Sequence, residues 1–215
     1  MNRASFRPQP IRACVAVLCW SLLAVQAVAA QTEYPHQIAS LIDPAKLATL
    51  GERGANPRVQ KAVYWLATAQ NEGEKPARVL DRAVALAGYK NAAAKLTRKA
   101  LLRNLDIAQK LGCLDAAGLA EMRRGKAPRV MRGPYKGDEL SVDHIIPRAV
   151  VPELDNVIAN LELMPLRINE SKNDKIGDRQ RDLARKLYKA GLLSGKGLRA
   201  LDRSPGYFMP SRPSY

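Results

Sequence analysis

The stretch "SVDHIIPRAV", residues 141–150, sets an aspartate against a histidine at the end of an alternating run. From Glu139 to His144, Leu140 and Val142 fall on one face and Ser141 and Asp143 on the other, which is a strand period. Pro147 ends the ladder because it has no N–H to offer. The chain holds only two histidines. One of them, His144, stands here beside Asp143, whereas His36 reads as an ordinary structural histidine.

Working outward toward the C-terminus, residues 145–159 read as a long loop punctuated by Pro147 and Pro152. "NLELM", 160–164, reads as a second short strand, ended by Pro165. A helix begins near Arg167 or Ile168, and Gly177 interrupts it. "DRQRDLARKLYKAG", 178–191, is the last clear helix, with Leu183 and Leu187 inward and its arginines and lysines mostly outward. The tail from Ser204, rich in proline and serine, reads as poorly ordered.

Toward the N-terminus, "RRGKAPRVMRGPYKG", 123–137, carries six basic residues and no acid. Its glycines and prolines forbid a regular element, so it reads as a basic loop leading to residue 138. Arg132 and Lys136 within it are candidate phosphate contacts. Residues 43–124 read as helices. Asp43-Pro44 and Asn56-Pro57 each place a capping side chain before a proline. Apolar stripes follow at helical spacing through Val59, Val63 and Leu66, then Val79, Leu80, Ala83 and Val84, then Leu101, Leu105 and Ala108. A short helix runs from Asp115 to Arg123. Tyr64 and Trp65 read as packing residues. No internal repeat is visible.

The resulting order is strand, long loop, strand, helix. Asp143-His144 ends the first strand, Asn160 opens the second, and Asn169 stands near the start of the helix. "DHIIP", "NLELM" and "INESKND" together resemble the HNH endonuclease family, whose fold is the ββα-metal unit. The nine-residue step from Asn160 to Asn169, and three more to Lys172, is similar to that family's pattern. The resemblance covers about residues 138–176. Many members carry a structural zinc on cysteine pairs, but Pro165 and Ile168 stand where two of those cysteines usually fall. The chain therefore resembles the zinc-free branch.

The resemblance implies an endonuclease, and the residue types suit the chemistry. Phosphodiester hydrolysis needs an activated water, a neutralised phosphate and a stabilised leaving oxygen. Imidazole as a group titrates near neutral pH, so a neutral His144 can take a proton from water. Asp143 offers a hard anionic oxygen to a divalent cation, and the Asn169 amide oxygen offers a neutral one. Mg²⁺, or another divalent cation such as Mn²⁺, suits such a set. Asn173, one helical turn after Asn169, is a second candidate for the metal shell. Asn160 is expected, from the resemblance, to bond the backbone around His144 and fix the ring. Arg148, Arg167 and Lys172 are candidate phosphate contacts.

Composition agrees with a polyanionic partner without choosing one. The chain has 215 residues and a net charge of +15. Arg3, Arg7 and Arg12 precede an uncharged apolar run from Ala13 to the small-residue end Ala27-Val28-Ala29-Ala30, the pattern of a secretory signal peptide. A single membrane anchor is the competing reading of that run. Loss of the leader removes three basic residues and no acid, leaving +12. Cys14 and Cys19 leave with it, so the mature chain keeps only Cys113 and no internal disulfide.

The expected architecture is α+β and mostly helical: a signal peptide (1–30), a helical region (31–124), a ββα-metal domain with its basic loop and following helix (125–195), and a tail (196–215). The expected function is a metal-dependent endonuclease of periplasmic or secreted address. Its substrate is DNA, with RNA left open, and it has no stable membrane insertion after leader cleavage. The competing expectation is a catalytically inactive nucleic-acid-binding protein on the same scaffold. The oligomeric state is not legible.

Overall fold

The computed structural model of the chain describes residues 33–172 and 176–204. The expected leader, the tail from residue 205 and Asn173 lie outside the described residues. The fold is mostly helical, with one two-stranded antiparallel sheet.

Helix α1 spans residues 33–42, and α2 (Pro44–Leu47) follows at once. Asp43 caps α2, its Oδ1 accepting from the Ala45 N–H at 2.9 Å. The sequence reading opens its helices only at Asp43. Yet Tyr34, Ile38 and Ile42, spaced by four, bury one stripe of α1 in the core. His36 is exposed on this helix, not a satisfied internal histidine.

Helices α3 (Asn56–Asn71), α4 (Pro76–Leu86), α5 (Asn91–Lys110) and α6 (Ala116–Arg123) complete the helical layer. Val59, Val63, Leu66, Leu80 and Leu101 are fully buried, and each buried leucine or valine contributes about 2 kcal/mol. The expected cap at Asn56 is not formed. Ala55 holds the N-cap position, and the Asn56 Oδ1 is buried without a partner. The reason is tertiary: the Ala55 N–H donates to Asn156 Oδ1, 2.9 Å away.

The sheet pairs β1 (Leu140–His144) with β2 (Leu161–Pro165), in a register that sets Val142 against Leu163 and Asp143 against Glu162. Leu140, Leu161 and Leu163 join the core of the helical layer. The Asn104 carboxamide, fully buried on α5, bonds β2 twice. Its Nδ2 donates to Leu161 O at 3.2 Å, and its Oδ1 accepts from the Leu163 N–H at 2.9 Å. Asp143 and Glu162 would repel across the ladder. Glu162 is fully buried, and Arg103 and Arg179 bracket it at 2.9 Å.

Helix α7 (Leu166–Ser171) follows β2 directly, and α8 (Asp178–Lys189) comes after it. A further helix, α9 (Gly195–Arg203), stands where the sequence reading placed only tail. Two glycines depress its propensity. What holds it is its cap and its buried Leu201: Ser194 Oγ accepts from the Gly197 N–H and donates to the Glu153 carboxylate at 2.8 Å.

A second core joins Ile146, Val151, Leu154, Ala159, Leu187 and Leu201. The 145–160 loop therefore packs Ile158 into the first core and Ala159 into the second. The described residues from Tyr34 onward form one compact unit. Among the described residues, no helix is long and apolar enough to cross a membrane.

Candidate active site

β1 ends at His144, and the chain leaves the ladder after one more bond, Ile145 N–H to Asn160 O at 2.8 Å. The excursion that follows is closed by one side chain. Asn160, fully buried, accepts from the Ile146 N–H at 2.8 Å and donates to Ile146 O at 3.0 Å and Leu154 O at 3.3 Å. It lines no part of the cavity described below. Its work is to fix the backbone two residues past His144.

The ring of His144 is held by Asp155. Nε2 lies 2.9 Å from Asp155 O and also 2.9 Å from Asp155 Oδ1. Both neighbours are acceptors, so Nε2 carries the hydrogen of the neutral ring. The N–H aims at the carbonyl. The carboxylate lies off that axis, and Oδ1 makes no hydrogen bond of its own. Nδ1 keeps its lone pair and has no hydrogen-bonding partner among the described residues.

Asp143 sits beside it, 8% exposed. Lys172 Nζ donates to Asp143 Oδ2 at 2.5 Å and to His144 O at 2.5 Å. Burial pushes the Asp143 carboxyl above the ordinary aspartate value, and the Lys172 ammonium opposes that rise without cancelling it. Asn169 projects from α7, its Nδ2 donating to Ser141 Oγ at 3.0 Å. That bond leaves Oδ1 free to face a ligand.

Asp143, His144, Asn169, Lys172, Arg148 and Arg53 line one cavity of about 290 Å³. Adjacent strand residues ordinarily face apart, but His144 is the last residue of its strand, so both it and Asp143 reach this space. A larger cavity of about 620 Å³ adjoins it, sharing Arg148 and Ala149. Glu52, Glu153 and Asp155 line that second space, and its carboxylates disfavour a polyanion.

The expected phosphate contacts divide. Arg148 reaches the cavity, yet its Nη1 is paired with Glu52 Oε1 at 2.6 Å. Arg167 is outside it, bonded to Asp138 Oδ2 at 3.3 Å and stacked over Tyr135 at 5.5 Å. Arg132 and Lys136 are exposed on the basic loop, away from the cavity lining. Arg53 and Asp155 were not found from the sequence. Asp155-Asn156 reads as an ordinary turn pair, and Arg53 lies about a hundred positions from its partner, with no local signal.

The donor set bears on the expected metal. Among the described residues, no three His, Cys, Asp or Glu side chains cluster in one place. One buried carboxylate and one carboxamide oxygen fit a hard cation that keeps most of its waters, and they do not fit zinc. No family model, curated protein or solved structure matches the chain.

Proposed function

We propose that the chain is a metal-dependent endonuclease of the HNH type, hydrolysing phosphodiester bonds of DNA with little sequence preference. The observation that carries this reading is the convergence of His144, Asp143 and Asn169 on one polar cavity, with the His144 ring held through Nε2 alone. The strand–loop–strand–helix order resembles the ββα-metal unit, and the net charge of +12 that remains without the leader favours a polyanionic substrate. The apolar leader in the sequence supports action outside the cytoplasm.

Asp143 and Asn169 would hold Mg²⁺ or Mn²⁺, which when bound supplies charge neutralisation at the phosphate and the leaving oxygen. The chain's own residues supply the rest. His144 Nδ1 takes the proton of the attacking water. The Asp155 carbonyl keeps the ring in the tautomer that makes this possible. Its carboxylate, 2.9 Å from Nε2, then stabilises the imidazolium that results. Asn160 keeps the backbone behind the ring from shifting. Phosphate contacts dominate affinity, so binding falls steeply with salt.

One observation favours a second reading, a nucleic-acid-binding protein without activity: the Lys172 ammonium already occupies Asp143 Oδ2. Plasmid cleavage separates the two. The parent should nick DNA with Mg²⁺ and stop with EDTA, and His144→Ala should lower the rate by about a hundredfold or more while still retaining DNA. DNA retained but uncut under every metal condition would leave only the binding protein.

A further inference from the structure

Three basic residues line the cavity: Arg53, Arg148 and Lys172. Two are spent within the protein, Arg148 on Glu52 and Lys172 on Asp143. Arg53 is exposed, and its guanidinium has no partner among the described residues. It comes from the turn between α2 and α3, not from the sheet or α7.

The backbone that presents it is held in an unfavourable conformation. Arg53 has φ of 54°, and Asn91 is the other non-glycine residue with positive φ among those described. Such a conformation costs an arginine about 1 kcal/mol or more and persists only where the surroundings impose it. Here they do. The Arg53 N–H donates to Asp155 Oδ2 at 3.0 Å, the Ala55 N–H to Asn156 Oδ1 at 2.9 Å, and Asn156 Nδ2 to Gly51 O at 3.1 Å. The carboxylate that receives the Arg53 N–H belongs to the residue that holds His144. The turn and the histidine are thus located by one residue, Asp155, which sets the Arg53 backbone beside the cavity that His144 lines.

We infer that Arg53 is the phosphate-binding residue of this cavity, taking a phosphodiester oxygen of the nucleic acid and placing that phosphate against His144. The inference deepens the nuclease reading and rests on it for the identity of the ligand. A guanidinium suits the task, since its fork matches phosphate oxygens in pairs. The segment that supplies it is the helical region, which thereby contributes to the site as well as to the core.

Glycine accepts φ of 54° without strain, so Arg53→Gly removes the side chain and keeps the backbone N–H on Asp155. Arg53→Asn is a second neutral variant that tolerates this conformation. Arg53→Lys keeps the charge and loses the fork. The probe is a short fluorescein-labelled DNA duplex, titrated by anisotropy at several salt concentrations. The whole chain is used in a His144→Ala background, without divalent cation. Either neutral variant should weaken binding about tenfold and lower the slope of log affinity against log salt by about one. Lysine should keep the slope and lose part of the affinity. Unchanged affinity and slope in both neutral variants would overturn the inference.

Cleavage in the His144 parent, with Mg²⁺, separates this outcome from failure of the nuclease reading. If the parent does not cut but Arg53 still governs binding, hydrolysis falls and the phosphate site stands. If the parent cuts and Arg53→Gly cuts with unchanged KM and kcat, the phosphate site falls and hydrolysis stands.

Discussion

Asn160→Ala should be among the most damaging single changes to the fold. The side chain is fully buried and makes three hydrogen bonds, at 2.8, 3.0 and 3.3 Å. Each contributes about 1 kcal/mol net. Alanine also strands the Ile146 N–H and the carbonyls of Ile146 and Leu154, in a loop that packs against both cores. A buried group left unpaired adds about 1 kcal/mol or more. The expected loss is therefore about 3–5 kcal/mol, a large part of the roughly 5–15 kcal/mol available to a domain. Urea unfolding followed by circular dichroism reads this directly. With a slope of about 2 kcal/mol per molar, the midpoint should fall by roughly 2 M. A fall below about 0.5 M would refute the reasoning, because the loop would then not depend on its central amide. A midpoint near the parent's with lost cleavage would give Asn160 a role in the chemistry that the geometry does not contain.

Three further outcomes are expected. Asp155→Ala removes the carboxylate from the His144 ring and the acceptor of the Arg53 N–H; kcat should fall about tenfold and KM should rise as the Arg53 turn loosens, and an unchanged kcat would detach Asp155 from catalysis. Gly118→Ala would set a Cβ 2.0 Å from Cys113 O and 2.9 Å from Cys113 C, backbone atoms that cannot rotate away. Helix propensity alone would stabilise α6 by about 1 kcal/mol, but the clash should reverse the sign, so a raised melting temperature would refute the packing argument. Burial pushes the Cys113 thiol up from 9.0 to about 12. The unfolded thiol ionises first, so this stabilisation is complete below about pH 9 and is lost as pH rises through 12, roughly 4 kcal/mol in all. Cys113→Ala should flatten the fall in stability over that window, and an equal slope in both proteins would refute it.

The sheet and the side chains around it were legible because their signals are local. Alternation from Leu140 to His144, the proline at 147 and the asparagine spacing all act within a few tens of residues. The resemblance of these elements to the HNH pattern is what grouped Asp143, His144, Asn169 and Lys172 into one expected site. The actual edges moved by about one residue, since Asn160 belongs to a 3-10 turn and β2 begins at Leu161. What stayed illegible depends on long-range pairing. Arg53 meets Asp155 across 102 positions and Asn156 caps α3 from a distance of 101, and no periodicity records such a partnership. Lys172 reads as a phosphate contact from its charge, but its ammonium is held by Asp143 and a strand carbonyl. Helix α9 was hidden by its two glycines, and its N-cap Ser194 is itself held by Glu153, more than forty residues upstream.

The Asn104 carboxamide has a consequence for self-association. A two-stranded sheet has two open sides, and each exposes backbone donors and acceptors that can template a strand from another molecule. Along β2, the Asn104 amide takes Leu161 O and gives its oxygen to the Leu163 N–H, the same pair of bonds a neighbouring strand would make. One buried side chain thus completes the ladder where a third strand could otherwise add. Asn104→Leu would preserve much of the volume but leave the Leu163 N–H unpaired, so that any parting of α5 from β2 would expose an edge ready to take a strand from another copy.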